Sequence, residues 1–198
     1  MRDLLQSAGW WLCIVYASIP LFWLAIHPFV QRWRTRQRSP YRVLLPGWAT
    51  AWIVLALLTF RWRNRLLYES SWSWAPGIIL FLCGFWLYYK STRSFSRRQV
   101  SGMAELLPGS QEQQLVLTGI RTRIRHPMYL GHFCEMLGWS IGTGLSVCYG
   151  LTAFAVLMGI VMVRMEDDEL ELRFGEEYRA YRKTVPAFVP KISSVPKI

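Results

Sequence analysis

Residues 127–163, PMYLGHFCEMLGWSIGTGLSVCYGLTAFAVLMGIVMV, decide the architecture. The stretch is 37 residues long and holds no Lys, Arg or Asp and only one Glu. As one helix it would run about 55 Å at 1.5 Å per residue, far beyond a hydrocarbon core of about 30 Å. Gly142, Thr143 and Gly144 stand near its middle, so the stretch reads as a tight helical hairpin of two short spans, 127–142 and 145–163.

Three more apolar blocks lie upstream. Ala8–Val30 contains His27 as its one residue ionisable near neutral pH, and Val43–Phe60 and Ser71–Tyr89 carry no charge. Each is long enough for one crossing. The expected fold is an all-α integral membrane protein of about five transmembrane helices. Three spans in region 1–90 supply topology. The loop, hairpin and C-terminal helices of region 91–198 supply the chemistry. The chain of 198 residues is 53% hydrophobic with 11 Trp, which excludes a disordered polymer. The first apolar block is too long for a cleavable signal and is expected to stay in the mature protein.

The net charge of +11 is informative by position. Arg32, Arg34, Arg36, Arg38 and Arg42 follow the first span; Lys90, Arg93, Arg97, Arg98, Arg121, Arg123 and Arg125 follow the third. Five crossings put these loops and the C-terminal tail on one face, which the positive-inside rule makes cytoplasmic. Arg61, Arg63 and Arg65 run against that rule. Basic residues beside apolar spans fit anionic lipid headgroups, and no nucleic-acid partner is expected. Cys13, Cys83, Cys134 and Cys148 fall inside apolar blocks without ligand spacing, so they read as buried thiols and no metal is expected.

Outside the bilayer, residues 91–126 read as an ordered loop with Gly102, Pro108, Gly109 and Gly119 and a strand-like stretch Gln114–Leu117. Beyond Arg164, Leu170, Phe174, Tyr178, Tyr181 and Val185 share one helical face, with Gly175 breaking the segment into two short helices on the membrane surface. The hairpin's antiparallel ends gather Arg125, His126, Tyr129, His132 and Glu135 opposite Arg164, Glu166 and Asp167. Ionisable groups at such depth are costly and point to function. Plainer roles compete: the arginines as a headgroup belt, His132 and Glu135 satisfying each other one turn apart, and residues 166–171 as a solvated helix start.

The motifs resolve part of that choice. Residues 118–131 read TGIRTRIRHPMYLG, and residues 164–190 read RMEDDELELRFGEEYRAYRKTVPAFVP. Together they resemble the integral-membrane methyltransferase superfamily of isoprenylcysteine carboxyl methyltransferases and phospholipid N-methyltransferases. There an R-H-P-x-Y-x-G segment opens a hairpin and an E-E-x-x-L-x-x-x-F-G-x-E-Y-x-x-Y segment follows it. The chain departs at Asp167, where the family has a second Glu, and around Ile120 and Arg121, where it has an aromatic residue. The resemblance implies S-adenosylmethionine as methyl donor. The residues implied to bind it are Leu117 and Gly119 of the loop, Arg125, His126, Pro127 and Tyr129 of the hairpin start, and Glu166, Asp167 and Tyr178 of the acidic segment.

No G-x-G-x-x-G follows a strand, so the doubly wound mode of holding this cofactor is absent. Methyl transfer needs alignment and exclusion of water. An ionised carboxylate acceptor needs positioning only, for which Arg164 offers a guanidinium fork. An amine acceptor must first lose a proton, to Glu166, His126 or Tyr129. The leading expectation is methylation of a lipidic acceptor, the carboxylate of a prenylated cysteine, at the cytoplasmic side of a multi-pass protein. Phospholipid amine methylation is the alternative enzyme, and a small transporter or lipid-binding scaffold the non-enzymatic one. Oligomeric state is not legible.

Overall fold

A computed structural model describes residues 1–36, 38–93, 95, 102–106 and 114–189. Their regular structure is helical: α1 (Arg2–Leu24), α2 (Val30–Arg34), α3 (Tyr41–Thr59), α4 (Trp74–Thr92), α5 (Met103–Leu106), α6 (Pro127–Thr143), α7 (Ser146–Phe174) and α8 (Glu176–Thr184). Four helical stretches, Arg2–Arg34, Tyr41–Trp62, Ser71–Thr92 and Ser146–Phe174, are long and apolar enough to cross a membrane. α6, at 17 residues, sits at the lower length limit of about 17 for a span. On α3, Val43, Ile53, Leu57 and Leu58 are exposed. So continuous an apolar surface suits lipid rather than water, and the chain is a membrane protein.

The 127–163 hairpin forms as expected. α6 runs one residue past the expected end, to Thr143, and Gly144 turns the chain in the left-handed region at φ 68°. The linker between α3 and α4 is fastened to that turn: the Leu67 amide donates to the Gly144 carbonyl at 2.9 Å, and the Ser146 amide to that of Arg65 at 2.9 Å. Arg61, Arg63 and Arg65 therefore stand at the turn end of the bundle, away from Arg125 and His126.

α4 and α6 pack as an antiparallel pair with their backbones nearly touching. Gly77 meets Gly138 and Gly84 meets Gly131; a Cβ on Gly131 would lie 3.0 Å from the Gly84 carbonyl oxygen, and one on Gly138 2.9 Å from that of Gly77. Small residues permit such approach, which drives helix association where the hydrophobic effect is absent. On the other side, Trp10, Cys13, Ile14 and Ala17 form one stripe of α1 against Leu145, Cys148, Leu151 and Ala155 at the start of α7, with Met136 of α6 between them. Ser18 ties α1 to α3, its hydroxyl oxygen accepting from the indoles of Trp48 and Trp52 at 2.7 Å each.

Two expectations change. Gln114–Leu117 is irregular rather than strand-like, having no neighbouring strand among the described residues. The acidic segment is not a separate surface helix: the apolar part of α7 ends near Val163, but the helix continues unbroken to Phe174. Only α8 is separate, because Gly175 adopts φ 61° and reverses the course of the chain. No helix-breaking residue lies between Arg164 and Phe174, so nothing local stops the helix. Arg97, Arg98, Pro108, Gly109 and Pro190 lie outside the described residues.

Candidate functional site

The site lies at the open end of the hairpin. Pro127 occupies the first turn of α6, where its missing N–H costs nothing, and His126 precedes it. The projecting part of α7 brings Asp167 opposite. Asp167 is buried at 3% exposure and accepts from Arg125 Nη2 at 2.8 Å, from His126 Nε2 at 2.9 Å and from the Tyr178 hydroxyl. Arg125 Nη1 also donates to the carbonyls of Val185 and Arg182, and the amides of Arg125 and His126 donate to the carbonyls of Pro186 and Ala187 at 2.9 and 3.1 Å. The R-H-P segment is thus clasped by the chain that follows α8.

The charges balance. Burial raises the Asp167 carboxyl, but its bonds from His126, Tyr178 and Arg125 outweigh that and hold it well below the usual carboxylate range. Burial likewise would lower the His126 imidazole, yet the carboxylates of Glu166 and Asp167 raise it to about 9. Glu166 stays ionised despite burial because His126, with Nδ1 3.4 Å from Glu166 Oε2, lies beside it. Two cations and two anions are therefore interlocked, as a buried ionic group must be to persist.

A cavity of about 530 Å³ opens beside this cluster. Its lining combines the polar side chains of Arg121, Arg125, His126, Tyr129, Glu166 and Tyr178 with Ile19, Phe22, Trp23, Leu45, Trp48 and Tyr88. Arg125 Nε and Glu166 Oε2 are buried without a hydrogen-bond partner among the described residues. A cationic donor without a partner and an anionic acceptor with only the 3.4 Å approach of His126 Nδ1, on two residues that line the same cavity, suit a ligand bearing both signs of charge. A volume of this size falls within the range of about 300–1,000 Å³ for small-molecule sites.

The expected site residues divide into three groups. Arg125, His126, Pro127, Tyr129, Glu166 and Tyr178 line the cavity, and Asp167 lies directly behind them as their common acceptor. Leu117 and Gly119 do not line it; Gly119, at φ 65°, starts the 3₁₀ turn Gly119–Thr122 that directs Arg121 inward. Arg164 is exposed and outside the lining. It stands nine positions before Arg173, which does line the cavity, and at about 100° per residue these two face opposite sides of α7.

Sequence reasoning missed several residues. Tyr181 lines the cavity and fixes the loop by donating to the Arg121 carbonyl at 2.7 Å. Arg121 is buried, bonded to the Ser91 carbonyl at 2.9 Å and stacked on Phe95. α1 and α3, read as topology alone, contribute Ile19, Phe22, Trp23, Leu45 and Trp48 to the lining. His132 and Glu135 do not satisfy each other: His132 Nδ1 has no hydrogen-bond partner among the described residues, and its ring lies between Tyr16 and Tyr88. Aromatic walls from α1 and α3 leave no mark in a motif; only the run of aromatics at 16–23 and 41–52 hinted at them.

Comparison with known proteins adds independent findings. The family model for phospholipid methyltransferases matches residues 72–177, more than half of the chain. Protein-S-isoprenylcysteine O-methyltransferase of Rattus norvegicus is 30% identical over 155 residues, covering 74% of this chain and 50% of the relative. The Homo sapiens protein of that name is 28% identical with the same coverage. Methanethiol S-methyltransferase of Pseudomonas deceptionensis is 25% identical over 182 residues, covering 87% of this chain and 68% of the relative. The chain spans about half the length of the isoprenylcysteine methyltransferases it matches.

Proposed function

This chain belongs to the phospholipid methyltransferase family, and we propose that it transfers a methyl group from S-adenosylmethionine to a lipidic acceptor, the carboxylate of a prenylated cysteine. The observation that carries the reading is one cavity lined both by an interlocked charge cluster and by aromatic and aliphatic side chains of α1 and α3. The relatives named for isoprenylcysteine support the acceptor.

The residues divide the work. When bound, the cofactor supplies an electrophilic methyl group. Glu166 would hold the cationic part of the cofactor, and Arg125 would hold its carboxylate. Tyr129 and Tyr178 shape the polar lining. His126 acts through the two carboxylates it bridges, keeping Glu166 ionised and in place. An ionised acceptor carboxylate needs no base, so the chain contributes alignment and a water-poor wall, worth as much as about 7–11 kcal/mol when reactants are well oriented. The aromatic side chains of α1 and α3 take up the apolar tail. The open end of the hairpin faces the cytoplasm, and region 91–198 carries the catalytic machinery.

A thiol acceptor is the second reading, favoured by the methanethiol S-methyltransferase match, which covers 87% of the chain and so reaches into the N-terminal helices. Purified protein incubated with radiolabelled S-adenosylmethionine and a panel of prenylcysteine, phosphatidylethanolamine and thiol acceptors tests both. Label in a base-labile methyl ester supports the first reading; label only in a lipid amine overturns both.

A further inference from the structure

His27 stands outside the family-matched region, close enough to Glu166 and His126 of the charge cluster to feel their charges. α1 ends at Leu24 because Pro28 cannot continue it, and His27 opens the 3₁₀ turn His27–Phe29. The Ala25 carbonyl freed by that break accepts from the Trp33 indole at 2.8 Å, which fixes the turn. The imidazole lines the cavity at 5% exposure and stacks on Trp23, with ring centroids 5.3 Å apart and planes 18° apart. Neither ring nitrogen has a hydrogen-bond partner among the described residues. Nδ1 lies 3.9 Å from Glu169 Oε2, a buried oxygen that also lacks one.

A buried, cavity-lining imidazole clamped by an indole, with Nδ1 toward a carboxylate whose other oxygen lies 3.5 Å from Arg173 Nε, has the parts of a base and its orienting acid. Apo pairs of this kind are often long and tighten in the working complex. A proton on Nδ1, the nitrogen near Glu169, leaves the Nε2 lone pair as the basic site. The carboxylate acceptor does not use such a group, since it arrives ionised. An alkyl thiol does, because with an ordinary pKa of about 8.5 it is mostly protonated at neutral pH.

We propose that His27, oriented by Glu169, is the base for methylation of alkyl thiols in this cavity, which gives the chain a thiol S-methyltransferase activity beside carboxyl methylation. The inference rests on reading the cavity as a methyl-transfer site. In the step, the thiol S–H proton passes to His27 Nε2, the new S–CH₃ bond forms, and the bond between the cofactor's sulfonium and its methyl breaks. The cofactor leaves as the neutral thioether. The imidazolium is balanced by Glu169 and returns its proton to water.

The test compares three acceptors in wild type and His27→Phe, a variant that keeps a ring against Trp23 and removes both nitrogens. The acceptors are benzyl mercaptan, a fluorinated thiophenol already ionised at pH 7.5, and N-acetyl-S-farnesylcysteine. Benzyl mercaptan turnover is expected to fall at least about 100-fold, the lower bound for a general base. The ionised thiophenol loses less than tenfold, and farnesylcysteine about threefold at most. Glu169→Gln lowers benzyl mercaptan turnover about tenfold with S-adenosylmethionine affinity retained. Where His27→Phe fails to bind the cofactor, His27→Gln replaces it, polar but not basic, with the same expectations. Parallel loss on all three acceptors, or an unchanged benzyl mercaptan rate, overturns the proposal. So does a wild type inert toward benzyl mercaptan, whatever it does with farnesylcysteine. Transfer to the thiol without transfer to farnesylcysteine instead overturns the carboxylate reading and leaves the His27 assignment standing.

Discussion

The two ends of the α6–α7 hairpin are held by different physics. At the turn, Gly144 and two backbone hydrogen bonds to Arg65 and Leu67 close the structure without a charge. At the open end, Arg125, His126, Glu166 and Asp167 are packed together with little access to water. Backbone pairing satisfies groups that must be satisfied anyway, whereas each buried ion carries a desolvation cost of several kcal/mol. A chain that needed only to close a hairpin has the cheaper solution available at both ends. The charges at the open end are not needed to close the hairpin, and the proposed function gives them a ligand to bind.

Removing the common acceptor breaks the comparison most severely. Asp167→Ala leaves Arg125, His126 and the Tyr178 hydroxyl without their shared partner, and the expected destabilisation is about 3–5 kcal/mol. Thermal unfolding in detergent should show it, together with loss of cofactor binding. At the turn, Gly144→Val forces a β-branched residue to φ 68° with its Cβ driven into the Tyr68 carbonyl oxygen. The expected cost is at least about 1–3 kcal/mol, seen in the same assay, while the protein that folds binds S-adenosylmethionine with wild-type affinity.

Smaller effects sharpen the contrast. His126→Ala removes a partner from both carboxylates and weakens cofactor binding by about 1–3 kcal/mol, read by calorimetry. The pH dependence follows from the raised imidazole, at about 9 when folded against about 6.5 when unfolded. Its contribution to stability is complete below about 6.5 and is lost as pH rises through about 9. Chemical denaturation midpoints should therefore fall between pH 7 and pH 10 in wild type, and more shallowly in His126→Gln. The smallest effect is expected on the far face of α7, where Arg164→Lys leaves turnover within about twofold of wild type.

How much of this was legible follows the same division. The hairpin could be read because length, apolarity and two glycines bear on one dimension, the thickness of the bilayer. Arg125, His126, Glu166 and Tyr178 could be read because their order along the chain carries the motif. Arg164 stands exposed and outside the lining: proximity in sequence to Glu166 does not specify which way a helix faces, and the counted rotation to Arg173 does. The continuation of α7 through its acidic stretch was masked by the change in composition at Arg164, which marks the membrane boundary and not the end of a helix. The Gly84–Gly131 and Gly77–Gly138 contacts, and the aromatic wall from α1 and α3, depend on pairing between distant helices. No local pattern encodes that pairing.

The central claim is that the open end of the hairpin is a cofactor site assembled within one chain. Titrating detergent-purified protein with S-adenosylmethionine in the absence of any acceptor, followed by calorimetry, tests it directly. The account predicts saturable one-to-one binding that Asp167→Ala abolishes and Gly144→Val preserves. No binding of S-adenosylmethionine or of its demethylated product at millimolar concentration would contradict it.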